Sequence, residues 1–319
     1  MKPSSKFIIP LFFNTVCLCS CINSHYFKAV QSGDGIEIFE KGKKVLFYQE
    51  RPKSLNGKYE RAGYIHPLYS LNEKSLTEDF PADHPYHRGI FWAWHQVILG
   101  NKKIADGWTC DNISWVPTNV KLSKTREYIT LSADVLWKSK LEHKGVTDII
   151  KENTKISIYK STSQYRVLDF DIKLFALIDS LKIGGSDDAK SYGGFCLRLR
   201  LPDDILFVSK GVSVTPQETP VYAGPWMDFT GSFEGAASHR SGLTVFCYPP
   251  DHGQSQQWIL RKKESMQNIV FPGRTPIELS KNGLNLRYRV VIHNNEISNS
   301  GLDSLYNEYI KNEKEISSN

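Results

Sequence analysis

The chain has 319 residues, of which 40% are hydrophobic and 23% are charged, a composition that excludes a disordered or collagen-like protein. The net charge is +6, and because no basic cluster concentrates this charge, we do not expect nucleic acid as a partner. The length allows one large domain or two average ones.

Residues 1–20 have the features of an export signal, with two lysines followed by the apolar stretch Phe7–Val16. This stretch is too short to span a bilayer of about 30 Å as a helix. The Leu-Cys-Ser sequence before Cys21 is similar to a bacterial lipobox, in which the cysteine is lipidated and becomes the new N-terminus. We therefore expect a protein of the bacterial cell envelope that faces the periplasm and contacts the membrane only through lipid on Cys21. An ordinary signal peptide is the alternative.

Most of the remaining chain is predicted to form strands, because apolar and polar residues alternate with a period of two. A loop is expected at Lys182–Lys190. No long linker or repeat divides the chain, so we predict an all-β fold, one large antiparallel β-sandwich over residues 26–298, with two domains as the alternative. The predicted strands are Gly35–Phe39, Lys44–Tyr48, Ile90–Leu99, Glu127–Val135, Arg166–Ala176, Phe195–Leu201, Leu243–Tyr248 and Leu284–Val290.

The tail, residues 299–316, is predicted to be a C-terminal α-helix. Ser300 and Asp303 have the spacing of a capping box at its start. Five apolar residues then fall on one stripe, which indicates a helix that packs against the sandwich. These residues are Leu302, Leu305, Tyr306, Tyr309 and Ile310.

The segment Glu78–Gln96 has the highest density of groups that can carry chemistry, with three histidines, three carboxylates, one arginine and two tryptophans. Two prolines stiffen its first half. His84 and His87 are three residues apart in a turn and can approach each other. His95 would lie roughly 26 Å from His87 along a straight strand, so we expect it to be a core histidine.

This spacing predicts an acid–base site in which one histidine donates a proton to a sugar or leaving-group oxygen. A carboxylate, with Asp79 or Asp83 nearby, would accept a proton, and the arginine would bind a carboxylate or polarise a carbonyl. A metal held by the histidine pair and a simple hydrogen-bonded loop are the alternatives, and we predict neither a metal nor a cofactor. The predicted catalytic residues are His84, His87, Arg88, Asp79 and, from a distant segment, Glu234.

Two further segments, at residues 61–67 and 222–228, combine rigid loops with aromatic side chains that could stack on a sugar. Together with the tryptophans of the dense segment they could line the mouth of a cleft. The predicted substrate-binding residues are Tyr64, His66, Trp92, Trp94, Trp226 and Asp228.

The run Asp83–Gly89, Asp-His-Pro-Tyr-His-Arg-Gly, is followed by three aromatic residues within five positions. With Gly63–Pro67, residues 226–231 and residues 288–293, it resembles a domain family of unknown function. That family is often labelled "methane oxygenase PmoA" in Bacteroidetes and Planctomycetes genomes. The resemblance extends over about residues 35–310.

The resemblance implies a galactose-mutarotase-like sandwich and a genomic context of carbohydrate degradation. It does not imply methane oxidation, because a particulate methane oxygenase subunit spans the membrane and no segment after residue 21 approaches the roughly 18 apolar residues of a span. We expect a carbohydrate-active enzyme, a hydrolase, lyase or epimerase, with a glycan or sugar derivative as its substrate. A non-catalytic glycan-binding lipoprotein is the alternative.

Overall fold

The structure is a computed structural model, and it describes residues 26–143, 145–235, 239–248, 256–263 and 266–318. The predicted export signal and Cys21 lie outside the described residues. No helix in the described part of the chain is long and apolar enough to cross a membrane.

Strands make up most of the described chain. The first twelve are β1 (Phe27–Gln31), β2 (Gly35–Glu40), β3 (Lys43–Gln49), β4 (Lys53–Leu55), β5 (Lys58–Arg61), β6 (Tyr64–Leu68), β7 (Ile90–Trp94), β8 (Gln96–Leu99), β9 (Lys102–Ala105), β10 (Ile113–Lys124), β11 (Tyr128–His143) and β12 (Val146–Tyr159). The others are β13 (Tyr165–Ala176), β14 (Leu181–Gly184), β15 (Gly193–Arg198), β16 (Leu206–Ser209), β17 (Val212–Ser213), β18 (Val221–Tyr222), β19 (Trp226–Gly231), β20 (Ser241–Cys247), β21 (Gln257–Ile259), β22 (Met266–Val270), β23 (Ile277–Glu278) and β24 (Leu284–His293).

Two antiparallel sheets of nine strands form the sandwich. The first sheet has the order β1-β2-β3-β6-β7-β15-β22-β21-β18, and the second has the order β10-β11-β12-β13-β24-β20-β19-β16-β17. A sheet of four strands, β23-β14-β8-β9, and the pair β4-β5 complete the fold. The main core lies between the large sheets, where the rings of Phe195 and Tyr288 stack with centroids 4.3 Å apart. The predicted all-β sandwich is confirmed.

The second sheet is covered on both faces near β24. Leu286, Tyr288 and Val290 face the main core, whereas Val291 packs under the C-terminal helix α1 (Asn299–Ser318). All five residues of the predicted apolar stripe contribute to this second cluster. The period of two in β24 therefore separates a core face from a helix face.

The helix begins earlier than the capping box predicted. The side chain of Ser298 caps it, because its Oγ accepts a hydrogen bond from the backbone N–H of Gly301. Asp303 has a different role, since its carboxylate accepts the indole N–H of Trp226 at 3.0 Å. The predicted capping box at Ser300 is therefore wrong by two residues, and its acidic member joins the helix to the sheet.

Two other predicted elements are corrected. The predicted strand Ile90–Leu99 divides at His95 into β7 and β8, which pair in different sheets. The predicted loop Lys182–Lys190 begins as β14, because its first residues pair with β8. This pairing lies 80 or more positions away in the chain, so the local composition could not reveal it.

Strand β7 alternates as predicted, and its two faces meet different surroundings. Ile90, Trp92 and Trp94 face the main core between the sheets. Phe91 and Ala93 face outward and pack in a smaller cluster on the other side of the first sheet. This outer cluster forms the base of the candidate functional site.

Candidate functional site

The outer face of the first sheet carries a cleft of about 720 Å³. Ligand sites of small molecules have volumes of about 300–1,000 Å³, so this cleft could hold a short oligosaccharide. One side of it carries the histidines predicted from the dense segment, together with aromatic rings. This side is lined by His84, Tyr86, His87, His95, Trp108 and Tyr192.

Arg88 shapes the loop that presents the first two histidines. Its side chain is fully buried, and its guanidinium donates to the backbone carbonyls of Pro85, His87 and Tyr59. The guanidinium also lies 3.7 Å from the ring centroid of Phe80. Arg88 therefore positions the loop from behind and does not line the cleft, so the predicted contact with a substrate carboxylate is corrected.

Gly89 permits the chain to leave this loop and enter β7. A Cβ atom at this position would lie 2.1 Å from the backbone oxygen of Ile65 on the paired strand β6. Any other residue would force the two strands apart, which explains why the loop ends at a glycine.

Asp79 is also part of the support for the loop. Its carboxylate accepts hydrogen bonds from the Lys53 ammonium at 2.8 Å and the Tyr64 hydroxyl at 3.1 Å, and it lies 3.6 Å from Arg88. Asp79 and Tyr64 are both buried, and neither lines the cleft. The predictions of Asp79 as a base and Tyr64 as a substrate contact are therefore corrected to structural roles.

Asp83 is the carboxylate hydrogen-bonded to His84. Its Oδ2 lies 2.8 Å from Nδ1 of His84, and Arg198 donates to both carboxylate oxygens at 2.7 and 2.9 Å. Burial alone would raise the pKa of Asp83, but the hydrogen bonds from Arg198 and His84 outweigh it and lower this pKa well below its ordinary value. An ionised carboxylate accepts the Nδ1 proton, so neutral His84 has a free lone pair on Nε2.

His87 lies between the Asp83–His84 pair and Trp108, which belongs to the outer apolar cluster at the base of the cleft. Its ring stacks on His84 with centroids 4.8 Å apart, and it is 4% exposed. Burial, assisted by His84 and Arg198, lowers the pKa of His87 from 6.5 to about 2. Arg198 donates to its Nδ1 at 3.3 Å, and because a guanidinium can only donate, the ring proton resides on Nε2.

His95 forms a second histidine–carboxylate pair in the same cleft. Its Nδ1 lies 2.9 Å from Oδ2 of Asp106, and its ring stacks on Trp108 at 5.3 Å. Burial opposes ionisation of Asp106, but hydrogen bonds from His95, Lys103 and a backbone N–H lower the pKa of Asp106 to about 2. His95 therefore also presents Nε2 as its free ring nitrogen in the neutral form.

The prediction that His95 is a core residue remote from His87 is wrong. Both rings contact the indole of Trp108, at 5.8 Å for His87 and 5.3 Å for His95. The straight-strand distance does not apply, because His87 precedes β7 in a turned loop and the strand bends at His95. The cleft thus brings together three histidines where the sequence predicted two.

The three tryptophans predicted to stack on a sugar all lie in the core. Trp92 and Trp94 face the interior between the sheets, where they are at most 1% exposed. Both faces of β7 are apolar, and the bulkier face is turned inward because its burial removes the larger apolar area from water. The third tryptophan, Trp226, is buried under helix α1.

The other predicted residues do not line the cleft either. Asp228 is buried in β19, where it accepts from His293 at 2.9 Å and from Thr244 at 2.8 Å. His66 is hydrogen-bonded to Thr77 at 3.0 Å. Burial lowers the pKa of His66 to about 4. Glu234 follows β19 of the second sheet and does not line the cleft.

Several cleft residues were missed by the sequence prediction. Trp108 lies in a turn that Asp106 holds by accepting the backbone N–H groups of Trp108 and Thr109. Tyr192 and Arg261 come from segments 97 or more positions after the histidines. Asp106, two residues before Trp108, was the one local signal for the Trp108 turn. The positions of Tyr192 and Arg261 depend on strand pairing, which the local sequence does not reveal.

The arrangement can exchange protons with a bound molecule. Two carboxylate-oriented imidazoles offer Nε2 lone pairs, and the neutral imidazole between them offers an N–H that can stabilise developing negative charge. Among the described residues no group of three histidine, cysteine or acidic side chains could hold a metal ion. Cys110, Cys196 and Cys247 are free thiols that are buried.

Comparison with protein-family models matches residues 36–307 to DUF6807, a family of unknown function. Because the match covers more than half of the chain, the protein belongs to this family. A search of curated proteins finds no match to the chain.

Proposed function

We propose that this DUF6807 protein is an exported, lipid-anchored enzyme that performs acid–base chemistry on a sugar derivative in the three-histidine cleft. The observation that carries the proposal is that His87, which is buried, and the histidines of two histidine–carboxylate pairs line the same cleft. A purely structural loop would not need three imidazoles with their free nitrogens at one concave surface.

The histidines have distinct roles in this proposal. His84, oriented by Asp83, accepts a proton from the substrate through Nε2. His87 donates its Nε2–H to the oxygen on which negative charge develops, because its low pKa keeps it neutral. Protonated His84 then returns this proton to the substrate or to its leaving group. His95, oriented by Asp106, can accept a proton through its free Nε2.

Proton transfer as in epimerisation or elimination fits this cleft better than hydrolysis by a pair of carboxyl groups. Most glycoside hydrolases need one protonated carboxylic acid with a raised pKa. The pKa values of Asp83 and Asp106 are both lowered, so these carboxyl groups are ionised at neutral pH. We therefore assign the base function to imidazole, which replaces the predicted carboxylate base.

A pure glycan-binding role is less well supported than acid–base chemistry. Two histidine–carboxylate pairs lie at the cleft, whereas Trp92, Trp94 and Trp226 are too deeply buried to form a flat binding face. Trp108 is 2% exposed, so a binding protein would have to use Tyr86 and Tyr192 alone.

The test is a screen of the purified full chain against plant and algal glycans, with reducing-end detection and proton NMR of the products. Once a substrate is found, His84→Ala, His87→Ala and His95→Ala should each lower turnover about 10²–10⁴-fold. His239→Ala, at a histidine that does not line the cleft, is the control. Full turnover in both His84→Ala and His87→Ala would show that the assignment is wrong.

The lipid anchor has its own test, because Cys21 lies outside the described residues. Cys21→Ser removes the thiol that would be lipidated, so the variant should move from the membrane fraction to the soluble periplasmic fraction. Membrane association equal to that of the unchanged chain would contradict lipid attachment at this position.

A further inference from the structure

The same cleft is lined by four cationic side chains, Lys190, Arg261, Lys262 and Lys263. None of them makes an ion pair with a carboxylate in the described part of the chain. The histidine side of the cleft differs, because there Asp83 is paired with His84 and Asp106 is paired with His95. Among the residues that the structure describes, the cleft lining therefore carries more positive than negative charge.

Two carboxylates also line the cleft, Asp188 and Glu218. Asp188 is engaged by its own loop, because it accepts from the Ser186 hydroxyl at 2.6 Å and from the backbone N–H of Lys190 at 2.9 Å. Glu218 is exposed, and its backbone carbonyl accepts from Arg261. The cations thus outnumber the carboxylates along this lining.

Arg261 is the fixed element among the cations. Its backbone makes two hydrogen bonds, at 3.1 and 2.8 Å, with the side chain of Gln267, which is fully buried. Its guanidinium donates to the Tyr192 hydroxyl and to the carbonyls of Gln217, Leu260 and Glu218. All these acceptors are neutral, so they hold the guanidinium in place without neutralising its charge.

A row of rings connects this cation with the histidines. The Arg261 guanidinium lies 5.6 Å from the ring centroid of Tyr192, and that ring lies 5.2 Å from Trp108. Trp108 contacts both His87 and His95. Trp108 itself is buried, but Tyr192 and Tyr86 line the cleft and are half-buried, and Tyr86 contacts His87 at 4.9 Å. A ligand whose charged group lies at Arg261 can therefore extend its neutral part over these two tyrosines to the reacting nitrogens.

We propose that the ligand of the cleft is an anionic sugar, with a carboxylate or sulfate group bound by Arg261 and the neighbouring lysines. The uncharged part of the ligand lies along the half-buried rings of Tyr192 and Tyr86, which brings the next sugar unit to His84, His87 and His95. This inference rests on the proposed function, since it names the substrate class of the same site. The four cations would also attract such a ligand from solution.

Isothermal titration calorimetry of the full chain tests the proposal with three matched probes. These are a four-residue oligogalacturonate, a sulfated four-residue galactan fragment and neutral galactotetraose. At least one anionic probe should bind ten-fold or more tightly than the neutral probe, and its affinity should fall as salt rises. The two anionic probes distinguish a carboxylate from a sulfate ligand.

The double variant Lys190→Glu/Lys262→Glu should weaken binding of the anionic probe ten-fold or more and leave neutral binding unchanged. Lys121→Glu reverses an exposed lysine of β10 that does not line the cleft, and it is the matched control. Equal affinity for neutral and anionic probes, no binding of either anionic probe, or no effect of the double variant would overturn the proposal.

The outcome separates this inference from the proposed function. Anionic binding without turnover of any glycan would keep the ligand class and contradict the enzyme. Turnover of a neutral glycan that depends on His84, with no preference for the anionic probes, would keep the enzyme and overturn the ligand class.

Discussion

At the scale of single residues, the chemistry of the cleft depends on which nitrogen of each histidine carries the proton. Asp83 and Asp106 fix the proton of their partners on Nδ1, whereas Arg198 fixes that of His87 on Nε2. Arg198 thus connects the Asp83–His84 pair with His87, because its guanidinium donates to both Asp83 and His87. The sequence predicted the importance of the loop histidines, but it could not predict an arginine 111 positions later.

Glu152 shows the same dependence on distant partners in the core. This fully buried carboxylate accepts the indole N–H of Trp92 at 2.9 Å, the indole N–H of Trp137 at 2.8 Å and the hydroxyl of Thr154 at 2.6 Å. Burial, the largest cause, raises its pKa despite these three donors. It explains why Trp92, which was expected at a sugar site, can be buried with its indole N–H satisfied.

We predict that Glu152→Ala lowers the free energy of unfolding by about 3–5 kcal/mol, because it leaves two indole N–H groups unpaired and opens a cavity. Glu152→Gln retains an acceptor oxygen and should cost less than half as much. Chemical denaturation of the two variants checks this difference. Equal losses would show that the hydrogen bonds of Glu152 contribute nothing beyond its volume.

At the scale of elements, alternation predicted strands well, since a period of two is a local property of β11, β13 and β24. It could not predict which face of β7 is turned inward, because all five of its residues are apolar enough to be buried. It also could not place the end of β7 at His95, which depends on pairing with other strands. The predicted position of the tryptophans failed for this reason.

The hydrogen bond between Asp303 of helix α1 and Trp226 of the second sheet can be tested by substitution. Asp303→Ala removes the acceptor of the Trp226 indole N–H, and we expect a loss of about 1–2 kcal/mol in unfolding free energy. Asp303→Asn keeps an acceptor oxygen and should lose little. Glu308→Ala, on an exposed position of the same helix, should stay within about 0.5 kcal/mol of the unchanged protein. If Glu308→Ala lowered the free energy of unfolding as much as Asp303→Ala, the loss would come from the helix itself and not from its contact with the sheet.

At the scale of the whole molecule, stability should depend on pH through two histidines, His87, which is buried, and His66, which is half-buried. The folded pKa values of His66 and His87, about 4 and about 2, lie below the ordinary value of 6.5. A depressed pKa means that the unfolded chain binds protons first, so this stability is fully present above pH 6.5 and is lost as the pH falls. Each histidine should contribute on the order of 1 kcal/mol for each pH unit below 6.5.

Denaturation between pH 7.5 and pH 5 measures this slope. The variant His66→Gln/His87→Gln lacks both titrating groups, so its free energy of unfolding should change less over the same range. A slope as steep as that of the unchanged protein would show that other groups cause the acid sensitivity.

The proposed acid–base chemistry depends on three histidines in one cleft with different proton positions. Long-range proton–nitrogen NMR of the histidine rings measures these positions without a substrate, between pH 7.5 and pH 5. We predict that His87 remains neutral with its proton on Nε2 throughout, and that neutral His84 and His95 carry theirs on Nδ1. Titration of His87 near pH 6.5, or a proton on its Nδ1, would contradict the proposed acid–base site.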